Sequence, residues 1–357
     1  MAPQSAPSST VLLAQDPLFS SHVSPPGHPE RPERLLAVQA GLERAAARLP
    51  ITYRPMATRD ATDDELARVH DAAYVDQLGQ MAGKSGFLDS DTFLSPGSVA
   101  AARRAAGSAL SLALALHRGD APVGFAVPRP PGHHALADRA MGFCLLNNVA
   151  LAAAEARRLG RRRVLVLDWD VHHGNGTEAI FYDDPSVLFV SLHQYPNYPG
   201  TGAASDTGTA EGRGRNVNVP LPPGGGDAVY RAALQQVVLP IVEQFAPDFA
   251  LVSCGFDAHA RDPLAQMELS AGAYAEMTRS LLASLRDCPL GVVLEGGYDL
   301  EALTESADAV ATVLLATAAR APLPASAASA PAGRELFRQE VEALEQVRRA
   351  QAQYWRL

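Results

Sequence analysis

A chain of 357 residues, 47% apolar and 19% charged, can bury a large single core, which excludes wholesale disorder. Its formal charge of −9 argues against a nucleic-acid partner, because phosphate contacts need clustered Lys and Arg. The three cysteines, Cys144, Cys254 and Cys288, are too few and too odd in number for a disulfide framework and fit a reducing cytoplasm.

In chain order, residues 1–10 are rich in Ala, Pro and Ser and are expected to be disordered. The apolar run 11–14 is too short for a signal peptide, and no stretch reads as the roughly 20 apolar residues of a membrane span. A cytoplasmic protein without membrane contact is expected. Short apolar runs at 123–127, 164–167, 187–190, 249–253 and 291–294 recur between helix-length segments and read as buried parallel strands. Residues 149–159 predict a helix, rich in Ala and Leu, with Arg157 and Arg158 in its last turn and Gly160 at its stop. Residues 199–226, rich in Gly, Pro, Ser and Thr, read as a long surface loop. Residues 11–320 thus form one α/β domain, and the Ala/Pro/Ser-rich stretch 321–333 reads as a linker. In 334–357, Phe337, Val341, Leu344, Val347 and Tyr354 lie at helical spacing. They predict an amphipathic helix that folds back on the domain or on a partner, such as a second copy in a homo-oligomer.

The residues after each apolar run carry the chemistry. The first run leads to Pro130-Pro-Gly-His133-His134, the second to Asp168-Trp-Asp170-Val-His172-His173. The others lead to Ser191-Leu-His193, Gly255-Phe-Asp257 and Glu295-Gly-Gly-Tyr298. Parallel strands present their carboxyl ends on one edge, where ligands bind, so these five tips converge on one site. Alternate residues past a strand end point the same way, so Asp168, Asp170 and His172 can share a side. Asp170 and His172, with a distant carboxylate from Asp257, make a set of three protein ligands that leaves zinc an open fourth position, the mark of a catalytic metal. Neutral imidazoles at His133 and His134 are suited to taking a proton from water and returning it to a leaving amine. The phenol of Tyr298 can donate to a developing oxyanion.

Together these residues resemble the histone deacetylase family, including its bacterial amidohydrolases and acetylpolyamine amidohydrolases. The resemblance runs from about Ser20, through His28-Pro-Glu-Arg-Pro-Glu-Arg34, to Tyr298. Its most specific blocks are residues 130–135, Gly142-Phe-Cys-Leu-Leu-Asn-Asn148, 168–176, 255–257 and 295–298. It implies an arginase/deacetylase-like α/β domain, with a mostly parallel central sheet flanked by helices and the active site at the carboxyl ends of the strands. It implies one zinc on Asp170, His172 and Asp257, His134 as general base and acid, and His133 as its electrostatic partner. Asp168 would orient His133 and border a potassium site that includes Ser191 and Leu192, and Asn175 would partner His134. Gly142, Phe143 and Tyr198 would form the acyl-lysine channel, and Tyr298 would polarise the scissile carbonyl. The implied substrates are acylated lysine in a protein or peptide, or an acetylated amine.

Three rival readings remain open on sequence. Arginase-type ureohydrolases look similar but need extra carboxylates for a second metal, where this chain has Gly174 and Gly255. A non-catalytic acyl-lysine binder would be expected to lack a ligand, a histidine or the tyrosine, and none is missing. A polyamine-selective enzyme can carry an acidic gatekeeper where this chain has Leu264, so the apolar residue favours acyl-lysine. Asp91 is a candidate for gripping substrate backbone amides at the rim.

Overall fold

The computed structural model describes residues 10–323 and 334–357. Most of the stretches expected to be disordered (1–10) or to link (321–333) therefore lies outside the described residues. The strands in chain order are β1 (Val11–Ala14), β2 (Tyr53–Pro55), β3 (Gly86–Phe87), β4 (Phe93–Leu94) and β5 (Val123–Ala126). They continue with β6 (Val164–Asp168), β7 (Val187–Gln194), β8 (Asn216–Leu221), β9 (Phe249–Cys254) and β10 (Leu290–Leu294). Strands β3 and β4 form a small antiparallel hairpin. The other eight make one sheet in the order β2-β1-β5-β10-β9-β6-β7-β8, with every neighbouring pair parallel. The expected α/β fold is borne out.

Each central strand is buried on both faces, which is why it reads as an unbroken apolar run. Along β6, Leu165 and Leu167 enter one core while Val164 and Val166 enter the other. The first core is closed by the helices Glu33–Ala46, Ala271–Leu285 and Leu300–Ala319, the second by Ser98–His117 and Asn148–Arg158. Each such Leu or Val contributes about 1.5–3 kcal/mol by leaving water.

Three expectations need correction. Residues 199–226 are not one loop, because they contain β8, the edge strand beside β7. Its sequence, Asn-Val-Asn-Val-Pro-Leu, hides the strand. Val217 and Val219 point into the core, the asparagines face Glu178, and Pro220 is tolerated at an edge that needs fewer ladder donors. Two helices, Ser98–His117 and Leu300–Ala319, do reach membrane-spanning length and hydropathy, but 67% and 72% of their apolar windows are buried inside the domain. They are apolar all round because they sit between the sheet and other helices. In the helix Arg338–Gln351, Leu344 and Val347 are buried, whereas Phe337 and Val341 are 55% and 39% exposed. The Phe337 ring stacks under the guanidinium of Arg334 instead. This helix lies against β8, with Gln351 Nε2 donating to Asn216 O at 2.9 Å and Trp355 Nε1 to Gly214 O at 2.9 Å.

Candidate metal and catalytic site

The parallel register fixes where the polar tips meet. Asp168 sits opposite Ser191 of β7 and Ser253 of β9, so β6 ends in the middle of the sheet with a strand on either side. The chain past β6 is then held by its own carboxylates. Asp170 N donates to Asp168 Oδ1 at 3.0 Å, His172 N to Asp170 Oδ1 at 2.9 Å, and Val171 N to Asp257 Oδ1 at 2.8 Å. Gly296 N, past β10, donates to Asp170 Oδ2 at 2.8 Å.

Asp170, His172 and Asp257 thereby turn inward together. Their ligand atoms all lie within 4.8 Å of one another and all three residues are buried. His172 Nδ1 stands 3.1 Å from both Asp170 Oδ1 and Asp257 Oδ2. Burial, reinforced by the negative charge of Asp170, pushes the Asp257 carboxyl up to about 7. Burial works against charge on His172, but Asp170 and Asp257 outweigh it and raise its pKa to about 10. Two buried carboxylates that repel each other across one imidazole form a site short of positive charge, the condition a dication relieves. The cradle is shaped for it. A Cβ on Gly296 would overlap Asp257 and Asp170, and one on Gly255 would overlap Asp170.

The histidine pair stands beside this cluster, its rings 4.0 Å apart between centroids. His133 Nδ1 pairs with Asp168 Oδ2 at 2.9 Å, and His134 Nδ1 with Asn175 Oδ1 at 2.7 Å. Their environments separate them. Burial opposes charge on His133, yet Asp170 and Asp168 prevail and raise its pKa to about 10. Burial, then the neighbouring His133 and His172, holds His134 well below the ordinary imidazole range. A neutral imidazole thus sits beside a charged one.

A cavity of about 210 Å³ opens onto these groups. It is lined by Asp91, His134, Gly142, Phe143, His172, Asn197, Tyr198, Leu264 and Tyr298. Every wall and rim residue singled out from the sequence is among them; Asn197 is the one addition. Gly142 and Phe143 both have positive φ, at 57° and 67°. Glycine is required at 142 because a Cβ would overlap the His134 ring, while the strained Phe143 turns its ring edge-on to Tyr298 at 5.9 Å. Tyr198 meets His134 edge-on at 5.1 Å. Burial pushes the Tyr298 phenol well above its ordinary pKa, so it stays a donor.

Ser191 lies next to the cluster rather than in it, its Oγ 2.9 Å from His193 Nδ1, with buried Leu192 following on β7. Sequence reading missed three buried supports. Asp262 Oδ2 accepts from Tyr298 N at 2.6 Å and its Oδ1 from Leu264 N at 3.0 Å. Glu295 Oε2 accepts from Gly132 N at 2.6 Å and His133 N at 3.1 Å. Arg34 lies 5.0 Å from the Tyr298 ring and donates to Gly297 O at 2.7 Å, while Glu30 binds both Arg34 and Arg129. Their acidic or basic character gave a signal, but nothing in sequence says which carboxylates are buried.

Residues 28–314 match the histone deacetylase domain. Histone deacetylase 15 of Arabidopsis thaliana is 44% identical over 311 residues, covering 86% of this chain and 56% of that protein. This chain therefore spans little more than half the length of that relative. A probable deacetylase of Archaeoglobus fulgidus is 40% identical over 286 residues, covering 79% of this chain and 80% of that one. The histone deacetylase-like amidohydrolase of Pseudomonas aeruginosa is 44% identical over 292 residues, covering 77% and 74%. The crystal structure of the HDA15 HD domain superposes with a TM-score of 0.86 at 39% identity, covering 97% of this chain and 96% of that one. On these grounds the chain belongs to the histone deacetylase family.

Proposed function

We propose that this protein hydrolyses the amide bond of acylated lysine side chains, with zinc held by Asp170, His172 and Asp257. The single observation that carries the reading is the buried Asp/His/Asp cluster, reached through His172 from a cavity that a neutral histidine, His134, also lines. When bound there, zinc supplies Lewis acidity toward the carbonyl and makes water a nucleophile at neutral pH. His134, kept neutral by burial, takes the proton of the attacking water, and Asn175 fixes its ring through Nδ1. Tyr298 donates to the carbonyl oxygen as charge develops there. His133, charged and anchored by Asp168, stabilises the negative charge, and the pair returns a proton to the leaving lysine amine. Gly142, Phe143 and Tyr198 enclose the aliphatic stem of the lysine. Potassium beside Asp168, Ser191 and Leu192 belongs to the same proposal.

Leu264 at the rim offers no negative charge to a polycation, which favours acyl-lysine over acetylpolyamines. The complete set of ligands, histidines and tyrosine favours turnover over passive binding. The test is zinc-loaded protein on a fluorogenic acetyl-lysine substrate and on an acetylpolyamine. Turnover of the first, lost in His134→Ala, is expected; zinc-loaded protein that cleaves neither would overturn the reading.

A further inference from the structure

Beside the mouth of the candidate site runs a second cleft of about 340 Å³, between the β3–β4 hairpin and residues 138–141. Leu78, Met81, Phe87 and Met141 give it an apolar lining, and Phe87 is 61% exposed, steadied edge-on by Phe93 at 5.1 Å. Two acids, Asp89 and Asp138, stand on its wall, the second paired with Arg139 at 3.1 Å.

The cleft and the catalytic cavity share both walls. Asp89 lines the cleft and Asp91, two residues on, lines the cavity; Met141 lines the cleft and Gly142, the next residue, lines the cavity. The hairpin is tied to that turn by Phe143 N, which donates to Thr92 Oγ1 at 3.1 Å. Asp89 Oδ1 in turn accepts from Asp91 N and Thr92 N at 3.0 and 2.6 Å, which fixes the bend between the two depressions. At the mouth stands an acceptor, Asp91, and Asn197 lines the same space, its Nδ2 buried in the wall without a hydrogen-bond partner. A peptide main chain supplies both complements, an N–H and a C=O beside the scissile group, whereas the only acceptor of an acetylpolyamine is the carbonyl that is to be cleaved. A buried donor left unpaired is costly, so the site favours a ligand that satisfies it.

We infer that this cleft seats the peptide segment flanking the acylated lysine, with a large apolar side chain against Phe87 and Met81. An extended segment rises about 3.3 Å per residue, so a side chain two or three positions from the lysine reaches the cleft while the main chain crosses Asp91 and Asn197. Asp89, the acid on that wall not matched by Arg139, adds a preference for a basic residue beside the apolar one. This rests on the deacylase reading for the lysine itself.

The test compares labelled peptides in which a ketone isostere replaces acetyl-lysine, one with Phe and one with Gly at the flanking positions, titrated against the zinc-loaded protein by fluorescence anisotropy. We expect the Phe peptide to bind about ten-fold more tightly, Phe87→Ala to remove that advantage, and Asn197→Ala to weaken both peptides alike. Turnover of a single-residue acetyl-lysine amide is measured in parallel and should be unchanged in Phe87→Ala. Equal affinity of the two peptides, or an advantage that survives in Phe87→Ala, overturns the inference even when the amide is cleaved. A protein that discriminates the peptides through Phe87 but never cleaves the amide supports the docking cleft and removes the catalytic reading instead.

Discussion

At the scale of single residues, neighbours push two adjacent imidazoles, His133 and His134, in opposite directions. Replacing His134 by Ala should lower kcat on an acetyl-lysine peptide by roughly 10²–10⁴-fold, with little change in zinc content. Tyr298→Phe should cost about 10²–10³-fold, chiefly in kcat, as expected for a donor that acts on developing charge. Asn175→Asp sets a carboxylate 2.7 Å from His134 Nδ1, where it favours the charged ring. The acidic limb of the kcat/KM profile should therefore move to higher pH, and an unmoved limb would remove His134 as the titrating base. Away from the site, His70 is held at about 4 by burial, with Nδ1 donating to Leu136 O and Nε2 accepting from Asn147 N. Between 4 and its usual 6.5 the unfolded chain binds a proton that the folded chain refuses. Its contribution is complete above about 6.5 and declines as the pH falls toward 4, by roughly 3 kcal/mol in all. In urea titrations at pH 7 and 4.5, the drop in midpoint should be smaller for His70→Gln than for the unaltered protein.

At the scale of elements, the strand tips act as a jig. The candidate metal cluster draws on the ends of β6 and β9, and Gly296 past β10 clamps Asp170 through its N–H. Gly296→Ala places a methyl group into Asp257 and Asp170 together, so zinc content measured after gel filtration should fall well below one equivalent while the circular dichroism of the fold persists. The edge strand β8 is protected differently. Leu344, Val347 and Trp355 are buried by the C-terminal segment, and at about 1.5–3 kcal/mol each they protect an edge that would otherwise invite pairing. Deleting residues 334–357 should lower Tm by on the order of 10 °C and promote aggregation, as read by scanning calorimetry and light scattering.

At the scale of the whole molecule, the sheet places the candidate site at the carboxyl ends of its central strands, with Asp168 and Asp170 packed against Gly174 and Gly255. Side chains at 174 and 255 would collide with Asp168 and Asp170, so the carboxylates of a two-metal centre have nowhere to stand. Metal analysis should return one equivalent of zinc per chain, and removing it with a chelator should lower Tm, since a ligand at 100 times its Kd adds about 2.7 kcal/mol of stability. The sequence by itself determined the α/β class, the five central strands and the polar tips, because strands buried on both faces must be continuously apolar and the chemistry must interrupt them at their ends. It also pointed to eight of the nine residues that line the cavity. Tertiary structure alone decided the rest. Edge strand β8 looks polar because one of its buried faces meets Glu178 through Asn216 and Asn218 instead of apolar side chains, and the apolar helices Ser98–His117 and Leu300–Ala319 are core elements because other layers cover them. Asp262, Glu295 and Asn197 gain their roles only when segments far apart in the chain close around them, and burial of that kind is a property of packing that no local pattern of residues encodes.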